Sequence, residues 1–202
     1  LGGVIIDIDY QKTLDAFNEL VPGISSETFY GKEKQLPFYS DYELGRIDSA
    51  ELLALFNLHY DCDLQMHQFT ECWNAMVFDI PRKRIALLRA LRNQGKKIFL
   101  LSNINEIHEQ AVDRKFGELG FDFTFERLFE KVYYSHRISQ RKPNISLFEF
   151  VLNENGLRPE MTLFLDDSEH HVIGARSAGI QTIHLVKPET ITELDIFKGV
   201  TS

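Results

Sequence analysis

The stretch Thr162-Leu163-Phe164-Leu165-Asp166-Asp167-Ser168 decides the fold. A short apolar run suited to a buried strand stops on two adjacent carboxylates. A helix is predicted from near Ser168 to Ala178, with Gly179 past its end. Gln181 to Val186 reads as the next strand. Upstream, Leu147, Phe148, Val151 and Leu152 fall at helical spacing, and Gly156 ends that helix. Val132-Tyr133-Tyr134 is a short strand candidate. Lys97-Ile98-Phe99-Leu100-Leu101 is another, running into Ser102-Asn103. Ile85, Leu88 and Leu91 carry a helix from Pro81 to Gln94, which Gly95 stops. Leu1 to Asp7 supplies one more predicted strand. Strands alternating with helices imply an α/β fold, with parallel strands, crossover helices and a sheet buried on both faces.

Residues 10 to 80 break the alternation. Tyr10 to Leu20 is helix-like. Asp48-Ser49-Ala50-Glu51 is a capping-box variant ahead of Leu52, Leu53 and Phe56. Gln65 to Met76 places Phe69, Cys72, Trp73 and Met76 on one helical face. An insert of this size at a strand end is usually functional, so the segment reads as a helical cap. The division expected is a core of residues 1–12 and 81–202 and a cap of residues 13–80.

The 202 residues carry 22 Lys+Arg against 30 Asp+Glu, a net charge of −8. That balance argues against a nucleic-acid binder, which needs clustered positive charge. No stretch approaches the roughly 18 apolar residues of a membrane helix, and no secretory signal is visible. Cys62 and Cys72 are the only cysteines; they read as reduced thiols of a cytoplasmic protein. Arg82-Lys83-Arg84 reads as a solvated helix face. His170 and His171 are adjacent, a spacing that does not suit a helical metal pair. A small-molecule partner is expected, with no nucleic acid and no membrane, in a monomer or homodimer.

In open parallel sheets ligands lie beyond the carboxyl ends of the strands. Those ends offer Asp7 and Asp9, Ser102-Asn103 and Asp166-Asp167, with Arg141-Lys142-Pro143 in the loop after the third strand. Adjacent carboxylates make an all-oxygen site suited to Mg²⁺. A serine backed by backbone N–H groups holds phosphate oxygens, and a lysine adds a point positive charge. Taken singly, each has an ordinary reading: a helix N-cap, a turn, a solvated lysine. Their order, each after an apolar strand, points to a phosphorylated substrate with magnesium.

This set resembles the haloacid dehalogenase superfamily, in particular its phosphatase branch. Leu100-Leu101-Ser102-Asn103 is similar to the second motif and Arg141-Lys142-Pro143 to the third. Phe164-Leu165-Asp166-Asp167, with Ile173-Gly174-Ala175 and Ala178-Gly179 beyond it, is similar to the fourth. Leu1-Gly2-Gly3-Val4-Ile5-Ile6-Asp7-Ile8-Asp9 and the segment Tyr42-Glu43-Leu44-Gly45-Arg46-Ile47 resemble the subgroup that includes bacterial alpha-D-glucose-1-phosphate phosphatases. The resemblance implies a Rossmann-like parallel sheet core with an inserted helical cap. It implies a Mg²⁺-dependent phosphatase acting on a small phosphorylated metabolite, a sugar phosphate in that subgroup, through an aspartyl-phosphate.

The same resemblance assigns roles. Ser102, Asn103 and Lys142 bind phosphate, with Ser102 and Lys142 also catalytic; Asp167, Asp166 and the Gly2 carbonyl hold the metal. In the D-L-G-G-V register the nucleophilic aspartate immediately precedes Leu1. A rival register makes Asp7 the nucleophile and Asp9 its companion, but it places Gln11 where Thr or Val is expected. The first register puts Gly2 where phosphatases of the family carry a second aspartate, so the acid role needs another group or water. His171 stands where the fourth motif often has Asn. Two alternatives remain open: a metal-independent 2-haloacid dehalogenase, and a non-catalytic sugar-phosphate-binding or regulatory domain.

Overall fold

Four short strands end on polar residues, and those ends place the site. The computed structural model describes residues 1–25, 29 and 36–200. Residues 26–28 and 30–35 of the expected cap, and 201 and 202 of the expected core, lie outside the described residues. β1 (Phe99–Ser102) pairs in parallel with β2 (Lys131–Tyr134), in the register Phe99↔Lys131 to Ser102↔Tyr134. β3 (Leu163–Asp166) pairs in parallel with β4 (Gln181–His184), from Leu163↔Gln181 to Asp166↔His184. Among the described residues the strands therefore form two parallel pairs and not one continuous sheet. Leu101 of β1 and Phe164 of β3 pack into one apolar cluster with Phe148, Ala175 and Ile180, so both pairs rest on the same helices.

Those helices are α8 (Ile145–Glu154), which presents Leu147, Phe148, Val151 and Leu152 inward, and α9 (Glu169–Ser177), directly after the Asp166-Asp167 pair. Ahead of β1 lies α5 (Arg82–Asn93), with Ile85 and Leu88 buried. A thirteen-residue helix, α6 (Glu106–Glu118), follows β1; the sequence reading gave this stretch no element. Asn105 caps α6 by accepting from His108 N, and Ile107, Ala111, Val112 and Phe116 face inward. The short α7 (Ser135–Ile138) continues β2.

The remaining helices are α1 (Tyr10–Leu20), α2 (Pro37–Glu43), α3 (Ser49–Tyr60) and α4 (Met66–Asn74). They enclose their own aromatic cluster, including Phe17, Phe56, Phe69 and Trp73, with ring centroids of Phe17 and Phe56 at 4.8 Å. The expected capping box is present at the start of α3, where Asp48 accepts from Ala50 N and Glu51 N and Glu51 reaches back to Asp48 N. A second cluster gathers Val4, Ile5, Ile6, Leu88, Leu100, Phe116 and Leu185. Ile107 of α6 packs with the first cluster, so α6 is the seam between the two.

Two expectations fail here, the second in part. Leu1 to Asp7 is not a strand: Leu1 O accepts from the N–H groups of Val4, Ile5 and Ile6, and Gly3 takes φ +72°, which folds the segment into a tight turn. The basic run is a solvated face only in part: Arg82 and Lys83 are exposed, but Arg84 is not. Arg84 is 3% exposed and donates to Asp7 Oδ1 at 2.9 Å and to Ile5 O at 3.3 Å. Three consecutive helical residues spread around most of a turn, so a basic triplet beside Ile85 and Leu88 must turn one member inward.

Candidate active site

A cavity of about 540 Å³ opens where the strand ends converge. Ser102 and Asn103 after β1, Lys142 in the loop after α7, and Asp166 and Asp167 after β3 all line it, together with Leu1 and Gly2. Every residue assigned a role from the sequence therefore meets in one place. Asp7 and Asp9 do not line it: Asp7 is paired with Arg84, and Asp9 caps α1 by accepting from Gln11 N. The geometry removes the register that makes Asp7 the nucleophile.

Local bonds fix the frame. Asn103 Nδ2 donates to Lys142 O at 3.0 Å, and Lys142 N donates to Asn103 Oδ1 at 2.9 Å, so the loops after β1 and α7 clasp each other. Lys142 Nζ donates to Asp166 Oδ2 at 2.7 Å, with 4% and 5% of the two side chains exposed. Asp166 Oδ1 also accepts from Ser168 N at 2.9 Å and from His171 Nδ1 at 2.8 Å. Burial pushes the Asp166 carboxyl up, but the Lys142 charge and the His171 hydrogen bond outweigh it and hold the group well below the usual carboxylate range.

Two glycines are needed for close approach. A Cβ on Gly3 would lie 2.3 Å from Cγ of Asp167, at a φ that favours glycine, so this backbone is pressed against the carboxyl. A Cβ on Gly174 would lie 2.4 Å from Pro143 O, so α9 reaches the Lys142-Pro143 loop only because that position has no side chain. Leu1 and Gly2 line the cavity together with Lys142, Asp166 and Asp167.

The donor set is hard and anionic. Asp167 and Asp166 offer carboxylate oxygens and Gly2 backbone, the chemistry that suits magnesium, which keeps other positions for water and phosphate. Three of the lone-pair directions of Asp166 are taken by Lys142, Ser168 and His171. This leaves Asp167 the better placed direct ligand. Among the described residues no cluster of three or more His, Cys, Asp or Glu side chains suits a metal ion.

Four further cavity residues had been given no role in the site from the sequence. Glu43, from α2, pairs with Arg141 Nη1 at 2.8 Å. Tyr10, 43% exposed, also lines the cavity; desolvation, then Asp167, Glu43 and Asp166, raises its pKa. His108 also lines the cavity, but both its ring nitrogens are engaged, by Asn105 Nδ2 at 3.1 Å and Trp73 O at 2.9 Å. The neighbouring fourth-motif pattern was the available signal for His171, whose bond to Asp166 makes it a positioning group.

The matching family model is that of the haloacid dehalogenase-like hydrolases, over residues 41–185. The chain belongs to that family. It is 25% identical over 183 residues to D-ribitol-5-phosphate phosphatase of Bacteroides thetaiotaomicron, covering 90% of this chain and 86% of that one. It is 31% identical over 98 residues to phosphoglycolate phosphatase of Pseudomonas putida, covering 48% of this chain and 34% of that protein. A crystal structure of a HAD-family enzyme from B. thetaiotaomicron, in complex with magnesium and inorganic phosphate, superposes with a TM-score of 0.80 at 29% identity, covering 91% of this chain and 90% of that one. Among the described residues no helix is long and apolar enough to cross a membrane.

Proposed function

We propose that the chain is a magnesium-dependent phosphatase that hydrolyses a small phosphorylated metabolite, a sugar or polyol phosphate, through an aspartyl-phosphate. The observation that carries this reading is the convergence of Ser102, Asn103, Lys142, Asp166 and Asp167 on one cavity. The likeness to D-ribitol-5-phosphate phosphatase and to an enzyme holding magnesium and phosphate supports it.

In this mechanism the nucleophile is the aspartate that the motif register places immediately before Leu1. The placement of Leu1 and Gly2 in the cavity beside Lys142 and the carboxylates supports that register. Attack in line on phosphorus gives a covalent aspartyl-phosphate, and water then hydrolyses it, splitting one difficult step into two. Ser102 and the N–H of Asn103 bind phosphate oxygens. Lys142, held by Asp166, neutralises charge on the transferring group. Asp167, with Asp166 and the Gly2 carbonyl, would hold magnesium, which when bound would screen the repulsion between nucleophile and phosphate. A side chain at Gly2 would crowd Ile8, since a Cβ there lies 2.8 Å from its Cδ1. Protonation of the leaving group therefore falls to water or another cavity group. Residues 13–80 act as the cap over this cavity, with residues 1–12 and 81–202 as the core.

Asp167→Asn tests the reading. Mg²⁺-dependent release of phosphate from sugar phosphates should be abolished; undiminished activity removes the metal assignment. Halide release from 2-haloacids without added metal would instead favour dehalogenase chemistry. In the full gene product, any residue other than aspartate ahead of Leu1 overturns the register.

A further inference from the structure

The cavity wall opposite the core is poor in charge. Among the described residues of the 13–80 segment that line it, Met76 and Val77 are apolar and Glu43 alone is charged. Glu43 is 9% exposed, at the end of α2, and its Oε2 accepts from Arg141 Nη1 at 2.8 Å across 98 residues of sequence. Arg141 directly precedes Lys142, the lysine assigned to the phosphate. The pair thus stands in the cavity lining, with Arg141 one residue from the lysine assigned to the phosphate.

We infer that Glu43 and Arg141 together read the leaving group, favouring a neutral alcohol that carries further hydroxyls and rejecting one that carries a carboxylate. The inference rests on the phosphatase reading above and names the selectivity of that site. A carboxylate accepts hydroxyl protons and a guanidinium donates to hydroxyl oxygens, so a diol satisfies both members of the pair. Arg141 alone would attract an anionic leaving group such as glycolate. Glu43 cancels that attraction and adds repulsion in a partly desolvated wall, where unlike substrates are separated by what the site disfavours. Tyr10 lines the same cavity.

The experiment compares kcat/KM for ribitol 5-phosphate and 2-phosphoglycolate in the full gene product and in Glu43→Gln, which keeps shape and hydrogen bonding but removes the charge. The polyol-to-glycolate ratio should fall by about tenfold or more, the scale on which a polar specificity group discriminates at the least. A ratio within about twofold of the parent's overturns the inference, even where both rates fall, because a purely structural clamp would lower them together. A measurement on the parent guards against a variant that does not fold. Free ribitol should compete with p-nitrophenyl phosphate, whereas glycolate at the same concentration should not; equal competition overturns the inference. A parent that hydrolyses no phosphate monoester overturns the phosphatase reading and this one with it.

Discussion

Lys142 and Asp166 meet at 2.7 Å with 4% and 5% of their side chains exposed. His108, 8% exposed, lies in the seam between α4 and α6 with Asn105 Nδ2 on one ring nitrogen and Trp73 O on the other. Both places bury a titratable side chain beside the same cavity, and they settle its charge in opposite ways. At the cavity the lysine keeps the carboxyl ionised. In the seam, Trp73 O requires a proton on Nε2, and Asn105 requires a bare Nδ1, so the ring is neutral; burial lowers its pKa to about 4. A buried ion pair is weak evidence for stability, because desolvation offsets most of its attraction. Charge is retained where the chemistry needs it and suppressed where packing alone is at stake.

The largest effect should come from breaking the pair. Lys142→Met removes the charge proposed to face the phosphate and leaves Asp166 buried without its main cation. Turnover should fall by at least about 100-fold, the scale for losing one transition-state charge partner. Unfolding free energy near neutral pH should fall by about 3–5 kcal/mol, the usual loss when one member of a buried pair is removed. Phosphate release and urea denaturation on the same preparation measure both. A variant with parental turnover would remove Lys142 from the site.

The second prediction separates the two regions by pH. Asp166 has a depressed pKa, so its contribution is complete above the ordinary carboxylate value of 3.8 and is lost only as pH falls below that. His108 is depressed from 6.5 to about 4, so its contribution is complete above 6.5 and is lost as pH falls from there towards 4. Acidification from about pH 7 to pH 5 should therefore loosen the seam while the cavity pair stays charged. The His108 share of that loss is on the order of 2 kcal/mol, at about 1.4 kcal/mol for each unit below 6.5. Urea denaturation at the two pH values should show a smaller difference in His108→Gln than in the parent. An equal difference would mean that the ring is not held neutral.

This contrast also marks what the sequence discloses. Ser102-Asn103 and Asp166-Asp167 were legible because each stands at the end of an apolar run that forms a parallel strand, and Lys142 because it falls in the loop beyond another such strand. Asp48 and Glu51 were legible because a capping box is local. The seam was not, although α6 carried a signal: Asn105 as cap, then Ile107, Ala111 and Phe116 near helical spacing. Its partners Trp73 and Tyr42 lie more than 30 residues away, and nothing in either stretch names the other. Arg84 was misjudged for the same reason, since its partner Asp7 is 77 residues distant. Glu43 was read only as part of a motif, because its contact with Arg141 depends on how α2 lies across the cavity. Local chemistry is written in the sequence; the pairing of distant polar groups is decided by packing.

The smallest effect should come from the neutral side of the seam. Ile107 N donates to Tyr42 OH at 3.2 Å, Tyr42 OH contacts Ser49 Oγ at 2.8 Å, and Ser49 Oγ donates to Glu106 Oε2 at 2.6 Å. The Ser49 proton is committed to Glu106, so the tyrosine must donate to Ser49, and the chain runs in one direction from the α6 backbone through α2 and α3 and back to the first turn of α6. Burial raises the Tyr42 hydroxyl to about 12, so it stays a donor across the working range. Tyr42→Phe deletes the middle of this chain and leaves the Ile107 N–H without its acceptor. Stability should fall by about 1–2 kcal/mol, the cost of one buried donor left unpaired. Because Tyr42 does not titrate near neutrality, that loss should be the same at about pH 7 and pH 6, unlike the difference expected for His108→Gln. A loss that grows on acidification would mean that the hydroxyl chain is coupled to the histidine, and that the seam responds to pH as one unit.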